Sequence, residues 1–130
     1  MSRIIGIGID VVEVDRIAKS VERWGDRFRR KVFTDGEWEY CMGRPRVWEH
    51  LAGRFAAKEA VLKALGTGWN ASTSFHEIEV VRSRGQAPTV VLSPRIRGLL
   101  PDGDVHVWLS ISHTHRYAVA QAVISLEDST

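Results

Sequence analysis

The sequence predicts an α+β fold in a single domain, with about five mainly antiparallel strands packed with three to four helices, one of them long and central. Two patterns indicate these elements: apolar residues alternate in segments near both ends of the chain, and they recur at helical spacing in its first half. No repeat or linker divides the 130 residues, a length that suits one domain. We therefore expect one domain over residues 1–130.

The first expected elements are a strand from Ile4 to Val14 and a helix after it. The strand carries β-branched residues at positions 5, 7, 9 and 11, which favour extended structure. Asp15 is expected to cap the helix. Apolar residues then recur at helical spacing, at Ile17, Val21, Trp24 and Phe28. Gly25 weakens this helix near its end.

Two further helices are expected before the middle of the chain. Thr34 and Glu37 form a capping box, so a short helix begins there, and Gly43-Arg44-Pro45 ends it. The longest helix runs from Arg46 to Leu65, where apolar residues follow the 3.6-residue period. Gly66 is expected to end it in a left-handed conformation.

The second half of the chain is expected to be mostly strands. In order, they are His76–Arg82, Thr89–Leu92, Val105–Ile111 and Tyr117–Leu126. Gly85–Pro88 supplies a turn between the first two, and Ser93-Pro94 is typical of the start of a short helix, here running to Leu100. The last strand is nearly apolar throughout, so we expect it in the centre of its sheet.

Composition excludes several classes of protein. Hydrophobic residues make up 44% of the chain and charged residues 26%, which is ordinary for a globular protein and excludes disordered or fibrous chains. No apolar run approaches the roughly 18 residues of a membrane-spanning helix. The single cysteine, Cys41, excludes a disulfide within the chain and fits a cytoplasmic protein. A net charge of +2 does not predict nucleic-acid binding.

The segment Gly6-Ile7-Gly8-Ile9-Asp10 carries an unusual pattern. A dinucleotide-binding fingerprint needs a third glycine where Val11 stands, and a helix where the strand continues, so that function is excluded. The two glycines instead indicate close approach of another backbone or a ligand. Asp10 is a carboxylate in an apolar strand, which calls for a metal ion, an arginine or exposure at the strand end.

Two other clusters of polar residues have a functional and a plain interpretation. Glu59 and Lys63 lie four residues apart on a helix face rich in alanine, which a ligand can approach closely, or they form an ordinary surface ion pair. The segment Ser110 to Arg116 brings hydroxyl, imidazole and guanidinium groups to a strand end, which suits a phosphate or a polar hairpin turn. Zinc at His113 and His115 is disfavoured because no second spaced pair of ligands exists.

The first helix carries a basic face. Arginines at spacings of seven, four and three share one side of it, at Arg16, Arg23, Arg27 and Arg30. Such a one-sided stripe suits an acidic partner, although most such faces are only solvated.

Three of these segments resemble, in order, motifs of the holo-acyl-carrier-protein synthase family. The first is Gly6 to Val14 followed by Arg16-Ile17. The second is Arg54 to Ala60 followed by Lys63 to Gly68, and the third is Ser110 to His113 followed by Tyr117-Ala118. The resemblance runs over nearly the whole chain, at the family's length. Two motifs of this length in register are more specific than any short pattern.

The resemblance implies a 4′-phosphopantetheinyl transferase fold and its reaction. In that reaction 4′-phosphopantetheine moves from coenzyme A to a serine hydroxyl of apo acyl carrier protein, in support of fatty-acid biosynthesis. The other product is 3′,5′-ADP, and Mg²⁺ is required. The resemblance also implies a cytoplasmic homotrimer with active sites between subunits, and no nucleic-acid or membrane partner.

By motif position, the resemblance implies that Asp10 and Glu59 hold Mg²⁺, an ion that prefers oxygen ligands. Lys63 is expected to be catalytic, acting on the pyrophosphate and the charge that develops on the leaving group. Glu59, also expected to be catalytic, or a water on the metal takes the serine proton. The residues expected to bind coenzyme A are Arg54, Lys58, Lys63, Gly66, Gly68 and His113. Arg16 and Arg23 are expected to dock the acidic helix of the carrier protein.

Two alternatives belong to other classes of protein. A small RNA-binding module would interleave exposed aromatic and basic residues on a sheet, whereas Trp24 and Phe28 are expected on the apolar face of a helix. A non-catalytic relative would keep the fold and bind only coenzyme A or carrier protein. The presence of Asp10, Glu59 and Lys63 argues against that second alternative.

Overall fold

The computed structural model describes residues 1–66, 75–82 and 85–128. Its strands are β1 (Ser2–Glu13), β2 (Ile78–Val81), β3 (Thr89–Leu92), β4 (Asp104–His113) and β5 (Tyr117–Glu127). Its helices are α1 (Val14–Trp24), α2 (Asp26–Val32), α3 (Asp35–Met42), α4 (Val47–Leu65) and α5 (Pro94–Gly98), with a 3₁₀ turn at Phe75–Glu77. The α+β class and the five strands are confirmed.

The strands form two antiparallel sheets. One has the order β1-β5-β4 and the other pairs β2 with β3. The central place of β5 is therefore confirmed for the larger sheet. Its even-numbered side chains, from Ala118 to Leu126, are all buried, which explains why so few polar residues occur in this strand.

α4 packs against all three strands of the larger sheet. A Cβ atom built on Gly6 would lie 1.9 Å from the carbonyl oxygen of Ala64, and one built on Gly8 would lie 1.9 Å from that of Ala60. Only glycine fits such an approach, so the expected close contact with another backbone is confirmed. In the described ranges no helix is long and apolar enough to cross a membrane.

The other face of β1 is apolar and uncovered. Because the glycine face packs under α4, the branched side chains point away from it, and Ile7, Ile9 and Val11 are 57–60% exposed. Register places Ile7 beside Val123 of β5, and Val123 beside Trp108 of β4. Trp108 is 58% exposed. Among the described residues of one chain, nothing therefore covers this apolar patch on the outer face of the larger sheet.

The first predicted helix is two helices, which brings the described total to five instead of three to four. Gly25 adopts φ 55° between α1 and α2, a conformation that favours glycine and interrupts the helix. The capping role predicted for Asp15 is wrong, because Glu13 occupies the position before α1. Asp15 lies in the first turn of α1, where it pairs with Lys19. Trp24, expected on the apolar face, is half exposed, so the core covers it only in part.

The other two predicted N-terminal caps, at Thr34 and Ser93, are confirmed. The Thr34 hydroxyl accepts a hydrogen bond from the Glu37 amide at 3.1 Å, and the Glu37 carboxylate accepts one from the Thr34 amide at 2.9 Å. At α5, the Ser93 hydroxyl accepts from the Ile96 amide. These caps satisfy amide groups that a helix start otherwise leaves without partners.

A buried ion pair joins α3, α4 and β2. Lys58 Nζ donates to Glu37 Oε1 at 2.6 Å, and the Val80 amide donates to Glu37 Oε2 at 2.8 Å. Neither charged side chain is exposed to solvent. Burial lowers the pKa of Lys58, although Glu37 acts in the opposite direction. The pair ties the smaller sheet to the helix that carries the candidate site.

Candidate functional site

Two carboxylates and an ammonium group meet where β1 crosses α4. Asp10 lies on the same face of β1 as Gly8, and its side chain is 17% exposed. Lys63 Nζ donates to Asp10 Oδ1 at 3.1 Å and to the Ile9 carbonyl at 3.0 Å. Glu59 lies one helical turn before Lys63. The structure therefore brings together Asp10, Glu59 and Lys63, as the sequence predicted.

The Glu59 carboxyl is electrostatically perturbed. Its pKa is raised because burial and the charge of Asp10 disfavour the ionised form, while Lys63 and Arg16 act in the opposite direction. A carboxyl group whose ionisation is opposed by a neighbouring carboxylate lies where a cation is stabilised. The corner between β1 and α4 can therefore hold a positive ion.

The donor set of this corner fits Mg²⁺. Within residues 1–66, 75–82 and 85–128, no group of three or more His, Cys, Asp and Glu side chains is arranged to hold a metal. Mg²⁺ does not need one, because it commonly takes one or two carboxylates and completes its shell with waters and substrate phosphates. Asp10 and Glu59 supply that number of carboxylates.

Arg54, also on α4, forms a second cluster. It is only 3% exposed, and neither Nε nor Nη2 has a hydrogen-bond partner among the described residues. The guanidinium lies 4.2 Å from the centre of the Tyr40 ring, and Arg44 lies 4.6 Å from the same ring. A buried guanidinium with unused donors is costly unless an anion pairs with it. Phosphates and carboxylates are the anions whose geometry it matches.

His113 extends this cluster from the end of β4. Its ring lies 5.3 Å from that of His50, which lies 6.3 Å from that of Tyr40. Glu49 Oε1 is 2.9 Å from His113 Nδ1, and Glu49 Oε2 is 3.3 Å from His115 Nδ1. One carboxylate therefore holds both histidines. Arg54, Arg44, His50 and His113 are thus linked in one cluster through the rings of Tyr40 and His50.

Four residues of this cluster were not predicted: Tyr40, Arg44, Glu49 and His50. Only folding brings them to the site, because Glu49 and His113 are 64 positions apart. No local spacing signals that contact. The only hint in the sequence is the concentration of basic and imidazole residues between α3 and the start of α4.

Three residues that the sequence predicted to bind coenzyme A, Lys58, Gly66 and Gly68, are not part of either cluster as the structure describes it. The geometry contradicts the role predicted for Lys58, because its ammonium group is fully buried and bonded to Glu37. Lys58 precedes Glu59 by one residue and so points about 100° away around the helix. Gly66 ends α4 with φ 106° and open space around it, while Gly68 lies outside the described residues.

An open cleft of about 410 Å³ lies between the end of β1 and α1. Arg16, Lys19 and Arg23 line it, and the Arg23 guanidinium lies 4.9 Å from the centre of the Trp24 ring. Arg16 is also close enough to Glu59 to influence the pKa of that carboxyl. Glu13 and Asp15 also line the cleft, and Asp15 pairs with Lys19, so Arg16 and Arg23 are its basic groups without such a partner on its wall. The cleft adjoins the corner of Asp10 and Glu59.

The predicted stripe of four arginines is divided. Arg27 and Arg30 belong to α2, whose axis is separated from α1 by the break at Gly25. Arg27 lines a different cleft, with Phe28 and Lys31. Arg16 and Arg23 therefore share α1, while Arg27 and Arg30 share α2.

Comparisons with known proteins agree with these features. The family model of the 4′-phosphopantetheinyl transferase superfamily matches residues 6–122. A holo-acyl-carrier-protein synthase of Koribacter versatilis is 43% identical over 122 residues, covering 93% of this chain and 98% of that protein. The crystal structure of such a synthase from Bacillus anthracis, in complex with CoA (3′,5′-ADP), is 39% identical with a TM-score of 0.77, and the match covers 95% and 98% of the two chains. That of Helicobacter pylori, in complex with coenzyme A, is 33% identical with a TM-score of 0.78, and the match covers 91% and 98%.

Proposed function

The chain belongs to the 4′-phosphopantetheinyl transferase superfamily, and from that premise we propose that it transfers 4′-phosphopantetheine from coenzyme A to a serine hydroxyl of apo acyl carrier protein. The products are holo acyl carrier protein and 3′,5′-ADP, and the reaction supports fatty-acid biosynthesis. The meeting of Asp10, Glu59 and Lys63 at one corner carries the proposal. Synthases of this name resemble the chain over nearly its whole length, which supports it.

Coenzyme A is proposed to bind with its phosphates toward Arg54 and His113. The unused donors of Arg54 need an anion, and phosphates of coenzyme A would supply one. Tyr40 supports the guanidinium from one side, so its orientation is set before the ligand arrives. Such preorganisation lowers the entropic cost of holding coenzyme A in position for the transfer.

Asp10 and Glu59 are proposed to hold Mg²⁺, which when bound neutralises charge on the pyrophosphate. Lys63 adds a fixed positive charge beside Asp10, where it would stabilise the negative charge that develops on the leaving group. Glu59 is proposed to accept the proton of the serine hydroxyl.

Carrier protein is proposed to dock along α1 at Arg16 and Arg23. Both side chains line the cleft that adjoins Glu59. An acidic helix placed there would bring its serine toward the corner between β1 and α4. Complementary charge of this kind sets orientation and the rate of encounter.

We also propose a cytoplasmic homotrimer, with active sites between subunits, built from chains whose residues 1–130 form one domain. The outer face around Ile7, Ile9, Val11 and Trp108 supports the assembly, because exposed apolar patches of this kind are typical of protein interfaces. The described buried residues form one cluster, which supports a single domain. The buried, unpaired thiol of Cys41 fits the cytoplasm. Light scattering of the purified chain tests the assembly, and a monomer at micromolar concentration would contradict it.

Intact mass spectrometry of the carrier protein tests the reaction. The purified chain is mixed with apo acyl carrier protein, coenzyme A and Mg²⁺, with a chelator in a parallel tube. A mass gain of one phosphopantetheine that disappears with the chelator is expected, with 3′,5′-ADP as the other product. Binding of coenzyme A without any mass gain, on fatty-acid and polyketide carriers alike, would favour the non-catalytic relative.

A further inference from the structure

Glu49 holds two histidines at the end of β4, although no sequence motif gave it a role. It lies in the first turn of α4 and is buried. Its two carboxylate oxygens are divided between His113 Nδ1 at 2.9 Å and His115 Nδ1 at 3.3 Å. The contact with His113 is the shorter one and involves a half-buried ring, whereas the His115 side chain is 88% exposed.

This contact determines what the opposite side of the His113 ring can do. An ionised carboxylate only accepts hydrogen bonds, so Nδ1 must carry a proton where it meets Glu49. The remaining nitrogen, Nε2, then accepts in the neutral ring and donates in the cation. A phosphate oxygen at Nε2 also needs a donor. The ring is therefore cationic whenever Glu49 and a phosphate flank it together.

Glu49 supplies the negative charge in a basic neighbourhood. Among the described residues, the other titratable or charged groups that face this part of the site are His50 and Arg54 of α4, Arg44 and Arg46 before it, Tyr40 of α3, and His115 in the β4–β5 turn. None of them carries a negative charge at neutral pH. Burial, with the charges of His113, Arg54 and Arg44, lowers the pKa of His50, so His50 stays neutral beside His113.

The ionised state of Glu49 is stabilised in return. Burial alone would raise the pKa of Glu49, but the hydrogen bond and charge of His113, with the charges of His115 and Arg46, lower it overall. The carboxylate is thus available to accept from Nδ1 throughout the neutral range. A buried carboxylate paired in this way also orients the ring.

We propose that Glu49 is a positioning residue that fixes His113 with Nδ1 protonated and so makes its Nε2 a cationic donor to a phosphate of coenzyme A. The inference rests on the proposed function, which directs these phosphates toward Arg54 and His113. Glu49 itself touches no substrate, because its charge would repel the phosphate. It acts through the histidine, and binding of the ligand completes the protonation of the ring.

Isothermal titration calorimetry with 3′,5′-ADP tests this inference on the whole chain. Measurements at about pH 7.5 in two buffers of different ionisation heat give the number of protons taken up on binding. The wild-type chain should take up protons. Glu49→Gln keeps the shape but removes the charge, so it should take up fewer protons and bind about tenfold more weakly, as expected when a charge-assisted hydrogen bond is lost. At about pH 5.5 the loss of affinity should shrink.

His115→Gln is the matched control, because it removes the other partner of the same carboxylate. It should keep wild-type affinity and proton uptake. Wild-type behaviour of Glu49→Gln, or the same loss at both pH values without a change in proton uptake, would overturn the role of Glu49 alone. Absence of binding by the wild-type chain would overturn the placement of coenzyme A as well.

A second measurement does not depend on the stability of any variant. Nitrogen NMR shifts of the His113 ring in the wild-type chain report which ring nitrogen carries a proton. We expect a protonated Nδ1 before the ligand is added, and protons on both nitrogens in the complex with 3′,5′-ADP. An unprotonated Nδ1 in either state would overturn the proposal.

Discussion

Replacing Gly8 with alanine should force β1 away from α4. The new Cβ would lie 1.9 Å from the Ala60 carbonyl oxygen and 2.8 Å from the Ala64 amide nitrogen, both backbone atoms of a buried helix. Real Cβ atoms essentially never come closer than 3.0 Å to such atoms. Strand and helix must therefore separate by about 1 Å, because no flexible side chain is available to move instead.

The separation has a cost in stability and a larger one in activity. Overpacking of this kind costs roughly 1–3 kcal/mol, and alanine recovers about 0.4–1 kcal/mol by restricting the unfolded chain. A net loss of about 1.3 kcal/mol would lower the Tm by about 4–6 °C in a chain of this size. Asp10 follows Gly8 on the same face and would move relative to Lys63 and Glu59. A displacement of about 1 Å can reduce turnover about 100-fold.

Thermal melting at fixed protein concentration and the rate of holo-carrier formation, measured well below the Tm, test both consequences. Gly98→Ala is the matched control, because a Cβ there meets nothing within 4 Å and the backbone is not in the left-handed region. It should keep the wild-type Tm within about 2 °C and the full rate. Gly8→Ala with a wild-type Tm and rate would refute the account of the contact between β1 and α4.

Three further changes test the buried pair, the carboxylate corner and the docking cleft. Lys58→Met leaves the buried Glu37 charge without a partner, so urea unfolding should show a free energy of unfolding lower by about 3–5 kcal/mol. The double variant with Glu37→Gln should recover much of that stability, and full stability of the single variant would contradict the pairing. Glu59→Gln should reduce turnover at least about 100-fold yet raise the Tm in chelator at neutral pH. The pKa of Glu59 is raised, so its ionised form destabilises the fold at pH values above that pKa. The gain in Tm should therefore fade as the pH falls through the pKa of Glu59, and a lower Tm at every pH would contradict this reasoning. Arg16→Glu with Arg23→Glu should raise the KM for carrier protein about tenfold or more and leave the KM for coenzyme A nearly unchanged, and equal effects on both would count against the docking face.

Local chemistry made part of the fold predictable. The caps at Thr34 and Ser93 depend on residues three positions apart, so the pattern alone identifies them. Gly6 and Gly8 predicted the close approach of another backbone or a ligand, but the sequence did not identify α4 as that partner. The break at Gly25 was underestimated, because a glycine within a helical pattern is tolerated in many helices, and only its positive φ separates α1 from α2.

The candidate site, like the fold, was predictable from the sequence only in part. The motifs led to Asp10, Glu59 and Lys63, which the fold does bring together, while their chemical roles stay predictions. Lys58 belongs to the same motif, but its burial depends on Glu37 reaching it from another helix. The neighbourhood of Glu49 and His113 depends on packing across 64 positions. Such pairings arise from tertiary structure, and no spacing within one segment encodes them.

The most direct test of the central claim is the intact mass of the acyl carrier protein after incubation with coenzyme A, Mg²⁺ and either the wild-type chain or Glu59→Gln. We expect the wild-type chain to add one phosphopantetheine and Glu59→Gln to add almost none while still binding 3′,5′-ADP. No mass gain with the wild-type chain, or an equal gain with Glu59→Gln, would contradict it.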